Sequence, residues 1–366
     1  MSYGNYPEWE NIKNILVIKT RHLGDVLLTS PIFQLLKNKA PSATIDALIY
    51  KETLPILEGH PAISTYFLYD REIKQKSWWK RCSYECSLFL KIINKKYDLV
   101  INLTEGDRGA VIALLCGLYG TRYRVGIDPK GRGFYGKKHA YTHMVKVPKT
   151  PRHAVEKNID VLRRIGIFPT LEERGLYLHI PQESYTSLHA KFPIEPHTYI
   201  VIHPVSRWLF KAQDPSYMAD LVRELAAHYT VVITSGKDPQ ERAYIREMLK
   251  DTPPNVHDMS GALSLKELAA LIDKSACLLS VDTVALHIAS AVKAPVVALF
   301  GPSSEMGWGP WMHPRARVLT APMTCRPCFL DGCGGSKKSD CLNRIPRGRI
   351  LDAIEDVARI RQGAVL

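Results

Sequence analysis

No stretch of this 366-residue chain is apolar over the length that a bilayer-spanning helix needs, and the opening MSYGNYPEWENIK lacks a cationic region followed by an apolar one. The chain is therefore expected to stay in the cytoplasm. It also lacks G-x-G-x-x-G after its first predicted strand, and G-x-x-x-x-G-K-[ST] anywhere. Those gaps argue against a nicotinamide dehydrogenase and a P-loop enzyme. Eight cysteines at this length do not suggest a secreted disulfide scaffold. Cys82, Cys86, Cys116 and Cys277 fall within helical or strand patterns and read as packed thiols. No sequence repeat relates the two halves.

What is present is the composition of a soluble globular protein, 46% hydrophobic and 23% charged, long enough for two domains. The net charge of +13 is unevenly placed: residues 1–180 carry 28 Lys plus Arg against 17 Asp plus Glu, a net of +11, and the remainder +2. Lys74, Lys76, Lys80, Arg81, Arg122, Arg124, Lys130, Arg132, Lys137 and Lys138 supply much of it, interleaved with Trp78, Trp79, Phe134 and Tyr135. Such a face suits nucleic acid, an anionic membrane surface or a large phosphorylated substrate, and equally a merely solvated surface.

The chain is organised around Asn14 to Ala40, NILVIKTRHLGDVLLTSPIFQLLKNKA. Ile15 to Ile18 has the length and β-branching of a buried parallel strand, and Leu27, Leu28, Ile32, Leu35 and Leu36 recur at helical spacing. Between them lies a turn at the carboxyl end of a strand, where open α/β sheets bind ligands. Asp25 is its first carboxylate after Gly24. An acid there also caps a helix, so capping and chemistry stand side by side. Strands at 44–50, 66–69, 97–103 and 123–127 alternate with helices, which argues for a parallel, doubly wound sheet. Residues 128–151 read as a Gly-, Lys- and His-rich loop, and the domain boundary falls near residue 180.

A fresh alternation follows, with strands at 199–203, 230–234, 277–281 and 295–300. Ser206 and Lys211 lie in the loop after the first of these, Gly236-Lys237-Asp238 after the second, and Asp282-Thr283 opens the helix after the third. Hydroxyls, a lysine and free amides at a helix start hold phosphates without a metal. Cys325-x2-Cys328-x4-Cys333-x7-Cys341 has a first pair at zinc-like spacing and a second pair without it, so a structural metal and free reduced thiols both remain open.

IKTRHLGDVLLTSPIFQLLK, HPVSRWLFKAQDP and SVDTVALHIASAVKAPVVALFGPSSEMGWGPW together resemble the bacterial ADP-heptose:lipopolysaccharide heptosyltransferases, glycosyltransferase family 9, over nearly the whole chain. The likeness is greatest to the type III members. It implies an α/β GT-B fold: an acceptor domain at 1–180, a nucleotide-sugar domain at 181–345 facing it across a cleft, and a C-terminal helix at 346–366 packing back on the first domain. It implies Asp25 as general base, Lys211 against the diphosphate with Ser206 beside it, and Gly236, Asp282, Thr283, Val284 and His287 around the nucleotide sugar. Acceptor contacts are expected from Arg21, Gly24, Lys137, Lys138, His139, Arg152 and His153. Val284 stands where the family usually has Gly, which makes close approach of a phosphate harder.

The reaction so implied is a single displacement with inversion, ADP-heptose as donor and the heptose region of the phosphorylated lipopolysaccharide inner core as acceptor, needing no cofactor and no catalytic metal. The positive end of a helix favours a carboxylate, which suits a base at Asp25. The expected location is peripheral, on the cytoplasmic face of the inner membrane, held to its anionic surface by charge, with no nucleic-acid partner. Heptosyltransferase I or II, a catalytically silent nucleotide-sugar binder and a basic nucleic-acid-binding protein are the competing readings.

Overall fold

A computed structural model describes residues 6–129, 133–146 and 150–363; Lys130 and Arg132 of the basic face lie outside them. The chain divides into two compact units, Met1–His179 and Ile180–Leu366. In the first, the apolar runs become strands β1 (Asn14–Lys19), β2 (Thr44–Tyr50), β3 (Thr65–Tyr69), β4 (Leu99–Asn102), β5 (Tyr123–Ile127) and β6 (His143–Val145). In the second they become β7 (Tyr199–His203), β8 (Thr230–Ile233), β9 (Val256–Asp258), β10 (Cys277–Val281), β11 (Val296–Leu299) and β12 (Ala316–Leu319).

Every pairing is parallel, in the orders β3-β2-β1-β4-β5-β6 and β12-β11-β10-β7-β8-β9. Read from β9 to β12, the second sheet repeats the order of the first, although no sequence repeat announces it. The order reverses between β1 and β4 and between β7 and β10. Loops leaving such a pair at their carboxyl ends diverge and open a crevice.

Three strands escape the apolar pattern: β6, β9 and β12 close sheet edges. β9 is largely exposed and β12 mostly half-exposed. The helix Gln182–Lys191 also escapes it, because only Ser184 and Leu188 on it are buried. The helix after β1 is split into Leu23–Leu27 and Ser30–Lys39. Pro31 has no N–H to offer the preceding turn, so the chain restarts there with proline in the first turn. The C-terminal helix, Arg347–Gly363, differs from expectation in its packing. Ile350, Ala353, Ile354 and Val357 join Val297, Leu299 and Leu319 in the core of the second unit. Arg347 adds ion pairs to Asp220 and Glu224 of that same unit.

One close approach fixes the first unit's carboxyl edge. Buried Asn102, ending β4, donates to Tyr141 Oη at 2.6 Å and accepts from Thr104 N at 2.9 Å. The helix Asp107–Leu118 passes so near that a Cβ on Gly109 would stand 2.4 Å from Asn102 Oδ1. Gly109→Ala should therefore lower stability by about 1–3 kcal/mol from overpacking, net of a helix-propensity gain of about 1 kcal/mol. Gly348, in the C-terminal helix, has nothing within 4 Å of its Cβ position, so Gly348→Ala should raise stability by up to about 1 kcal/mol. Urea midpoints of the two variants, moving in opposite directions, check this contrast.

Candidate active site

The first unit's crevice lies between the loops after β1 and β4. Thr20 N donates to Thr104 Oγ1 at 3.0 Å, tying the two loops together. Asp25 follows in the helix Leu23–Leu27, whose N-cap, His22, makes no side-chain capping bond. The Asp25 carboxylate is half-buried and accepts no hydrogen bond among the described residues. Capping is thus not what this side chain does here.

Beneath it lies a residue that the sequence did not flag as functional. Lys19, the last residue of β1, is 8% exposed, and its ammonium donates to Leu103 O at 3.1 Å and Asn158 Oδ1 at 3.3 Å. Burial lowers it to about 8, against the pull of Asp25; Arg21 lowers it further and Glu105 raises it. It remains mostly cationic at neutral pH, a buried positive charge beside Asp25. The only signal was a lysine ending an otherwise apolar strand. Asn158 also donates to Leu28 O at 3.0 Å, which anchors the end of the short helix that carries Asp25.

The expected acceptor residues fare unevenly. Arg21 and Lys138 are exposed and Gly24 is half-buried in the Asp25 turn. Lys137 is buried, and its ammonium bonds Glu105 O at 2.6 Å and Asp107 Oδ1 at 3.0 Å, so it braces the loop after β4. His153 is buried at the start of the helix Ala154–Arg163, where its Nδ1 accepts from Val155 N at 3.2 Å. Arg152 pairs with Asp160 at 2.9 Å, while His139 is exposed. Lys137, His153 and Arg152 therefore act on their own scaffold in this structure.

In the second unit, the loops after β7 and β10 meet through an ion pair. Lys211 Nζ stands 2.6 Å from Asp282 Oδ2, with the Asp282 side chain 8% exposed. Thr283 then caps the helix Val284–Val292 with its backbone extended and without a side-chain capping bond, leaving the first-turn amides to a ligand or to water. Val284 occupies the first helical position and is not among the residues with positive φ, so the backbone there does not require glycine. His287, one turn on, is buried, its ring 6.5 Å from that of Trp308.

Two of the expected phosphate groups are already engaged. Ser206 Oγ donates to Trp208 O at 3.0 Å and accepts from Trp208 N at 3.2 Å, closing its own loop. Gly236 N donates to Glu241 Oε2 at 2.7 Å. Burial raises Glu241 above the usual carboxylate range, against that bond. Neighbouring His203 ends β7 buried, bonded to Thr234 Oγ1 at 2.9 Å, and burial lowers it to about 4, so it is neutral.

The loop with four cysteines braces this edge. Arg326 Nε donates to Gly301 O at 2.7 Å and its Nη2 to Glu305 Oε2 at 3.1 Å; Phe329 N donates to Pro302 O at 2.9 Å. Cys325 and Cys333 are exposed, Cys328 is half-buried and Cys341 is buried, all as free thiols. Among the described residues no three His, Cys, Asp or Glu side chains form a group able to hold a metal ion.

Against known proteins, the profile of glycosyltransferase family 9 (heptosyltransferase) matches residues 86–338. Lipopolysaccharide heptosyltransferase 3 of Escherichia coli is 32% identical over 302 residues, which cover 80% of this chain and 85% of that one. Two solved structures share the fold. A glycosyl transferase of family 9 from Veillonella parvula has a TM-score of 0.80 at 22% identity, covering 97% of this chain and 99% of that one. The E. coli ADP-heptose lps heptosyltransferase II has a TM-score of 0.75 at 20% identity, covering 95% and 99%. The architecture is thus α/β of the GT-B class, with two Rossmann-like units.

The buried ammonium of Lys19 has a signature in solution. Its folded-state value of about 8 lies below the ordinary 10.5, so the folded chain binds fewer protons than the unfolded one between those values. The penalty for burying the charge is complete below pH 8 and fades as pH rises toward 10.5. The stability of the parent relative to Lys19→Met should therefore climb with pH across that window, by at most about 1.4 kcal/mol per unit. Urea unfolding of both proteins at several pH values measures the slope.

Proposed function

The chain belongs to glycosyltransferase family 9, the heptosyltransferases, and on that basis we propose that it moves L-glycero-D-manno-heptose from ADP-heptose to the heptose region of the lipopolysaccharide inner core, as a type III enzyme with inversion. The type rests on the relative at 32% identity, whose name is lipopolysaccharide heptosyltransferase 3. One observation carries the chemistry: Asp25 offers a half-buried carboxylate without a hydrogen bond among the described residues, at the carboxyl edge of β1 and beside a buried cation. A carboxylate with no structural bond to break is suited to take a proton from an attacking acceptor hydroxyl.

The second unit supplies the leaving-group side. Lys211, oriented by Asp282, and the first-turn amides after Thr283 are the groups that would stabilise charge building on departing ADP. Asp282 holds the ammonium in place before the donor arrives, and a diphosphate then competes for it. Val284 and His287 complete the donor pocket. Ser206 and Gly236 would shape it through their loops, since their polar groups already have partners. On the acceptor side Arg21, Gly24 and Lys138 would make direct contact, with Lys137 and His153 bracing their own loops. The acceptor is a phosphorylated, lipid-anchored saccharide, and the enzyme works peripherally at the anionic cytoplasmic surface of the inner membrane.

Transfer from ADP-heptose to defined truncated lipopolysaccharides tests this reading. Asp25→Asn should lower kcat by about 10²–10⁴-fold while the variant stays folded. Full activity in Asp25→Asn would remove the base, and transfer confined to an acceptor lacking heptose would remove the type III assignment.

A further inference from the structure

Two protrusions on the first unit are harder to reconcile with a surface that meets only water. After β3 the chain runs through a 3₁₀ turn, Arg71–Gln75, into the helix Trp78–Ile93. Trp78 and Trp79 at its start are 58% and 70% exposed, with their rings stacked 3.8 Å apart. Around them stand Lys74, Lys76, Lys80 and Arg81, all exposed and without an ion pair among the described residues. The flanking charges, by contrast, are matched: Lys51 with Asp70 and Arg71 with Glu52, each at 3.1 Å. After β5 a second protrusion presents fully exposed Tyr135 with exposed Lys138 and His139.

In a parallel sheet the loops after β1, β3 and β5 all leave from one edge, so both protrusions rise from the carboxyl edge that carries Asp25. β3 lies two strands from β1 on one side and β5 two strands on the other. At the usual strand spacing each is about 10 Å away. Exposed indoles beside unpaired cations are the chemistry of the membrane–water interface, where aromatic rings sit at headgroup level and lysines meet anionic lipid. No helix among the described residues is long and apolar enough to cross a membrane, so the contact is one of surface docking.

We propose that the segment Lys74–Arg81, with Tyr135 and Lys138 as its counterpart across the sheet edge, docks this chain on an anionic phospholipid bilayer and turns the Asp25 edge toward it. The choice of occupant rests on the proposed lipid-anchored acceptor and on charge complementarity. Stacked indoles with cations also suit single-stranded nucleic acid, but two rings stacked on each other leave fewer faces for bases.

Sedimentation of the full chain with vesicles, without any sugar nucleotide, tests docking separately from transfer. Binding to phosphatidylglycerol–phosphatidylethanolamine vesicles should be strong at low salt and weak on phosphatidylcholine. Each of Lys74→Gln, Lys76→Gln, Lys80→Gln and Arg81→Gln should cost about fivefold in partitioning, and Trp78→Ala with Trp79→Ala should lower it further. Transfer to a lipid-free core saccharide should be unchanged in all of these variants. The proposal fails if the parent does not sediment with anionic vesicles or binds phosphatidylcholine equally well. It also fails if the fourfold Gln variant partitions like the parent, or if a single-stranded oligonucleotide binds the parent more tightly than the vesicles do.

Discussion

Parallel pairing is the constraint on which the rest of the molecule depends. A parallel strand cannot be joined to its neighbour by a hairpin, so successive strands within each sheet are joined by crossovers that leave from the carboxyl edge. All strand-to-crossover turns then collect along one edge, and the candidate site residues collect with them. In the first sheet these are Asp25, Arg21 and Lys138; in the second, Lys211, Asp282 and Thr283. Because both sheets share one strand order, each has its crevice at the same place, between its first and fourth strands. The two crevices have taken different groups: a carboxylate without a hydrogen bond in one, and a lysine already paired with an acid in the other.

The lysines at these two edges show how burial decides what a charge is for. Lys19 is enclosed against carbonyl and amide oxygens, with no carboxylate in contact, and its ammonium is depressed accordingly. Such a group is poorly placed to reach a substrate and well placed to set the field around Asp25. Lys211 is partly open, and its ion pair is short. Asp282 holds it at the carboxyl edge of the sheet, on the surface the proposed donor would meet. Glu241 does the reverse at Gly236, occupying an amide that would otherwise be open to a ligand. A loop can therefore have phosphate-suited composition and still serve only to shape its neighbours.

Much of this was legible in the sequence because buried parallel strands are written as unbroken apolar runs. The nine strands read from the sequence have such runs, and the turns that carry Asp25, Lys211 and Asp282 could be located because they come after those runs. The edge strands β6, β9 and β12 are short, and β9 and β12 are open to solvent, so no apolar run marks them. Lys137 and His153 were expected at the acceptor because composition carries no information on burial; only the fold shows Lys137 spent on Glu105 O and Asp107. The packing of the C-terminal helix was not legible for a related reason. Its apolar spacing shows that one face is buried but not against which sheet, and Ile350 and Ile354 chose the second.

The division of labour between the two sheet edges is most directly tested by calorimetric binding of ADP-heptose to the parent chain, Asp25→Asn and Lys211→Met, with no acceptor present. If the donor is held by the second unit and Asp25 serves the acceptor, Asp25→Asn will bind the donor at least as tightly as the parent. Lys211→Met will bind it at least about tenfold more weakly, the expected loss of a charge-assisted hydrogen bond. Weakened donor binding in Asp25→Asn, or undiminished binding in Lys211→Met, would contradict the account.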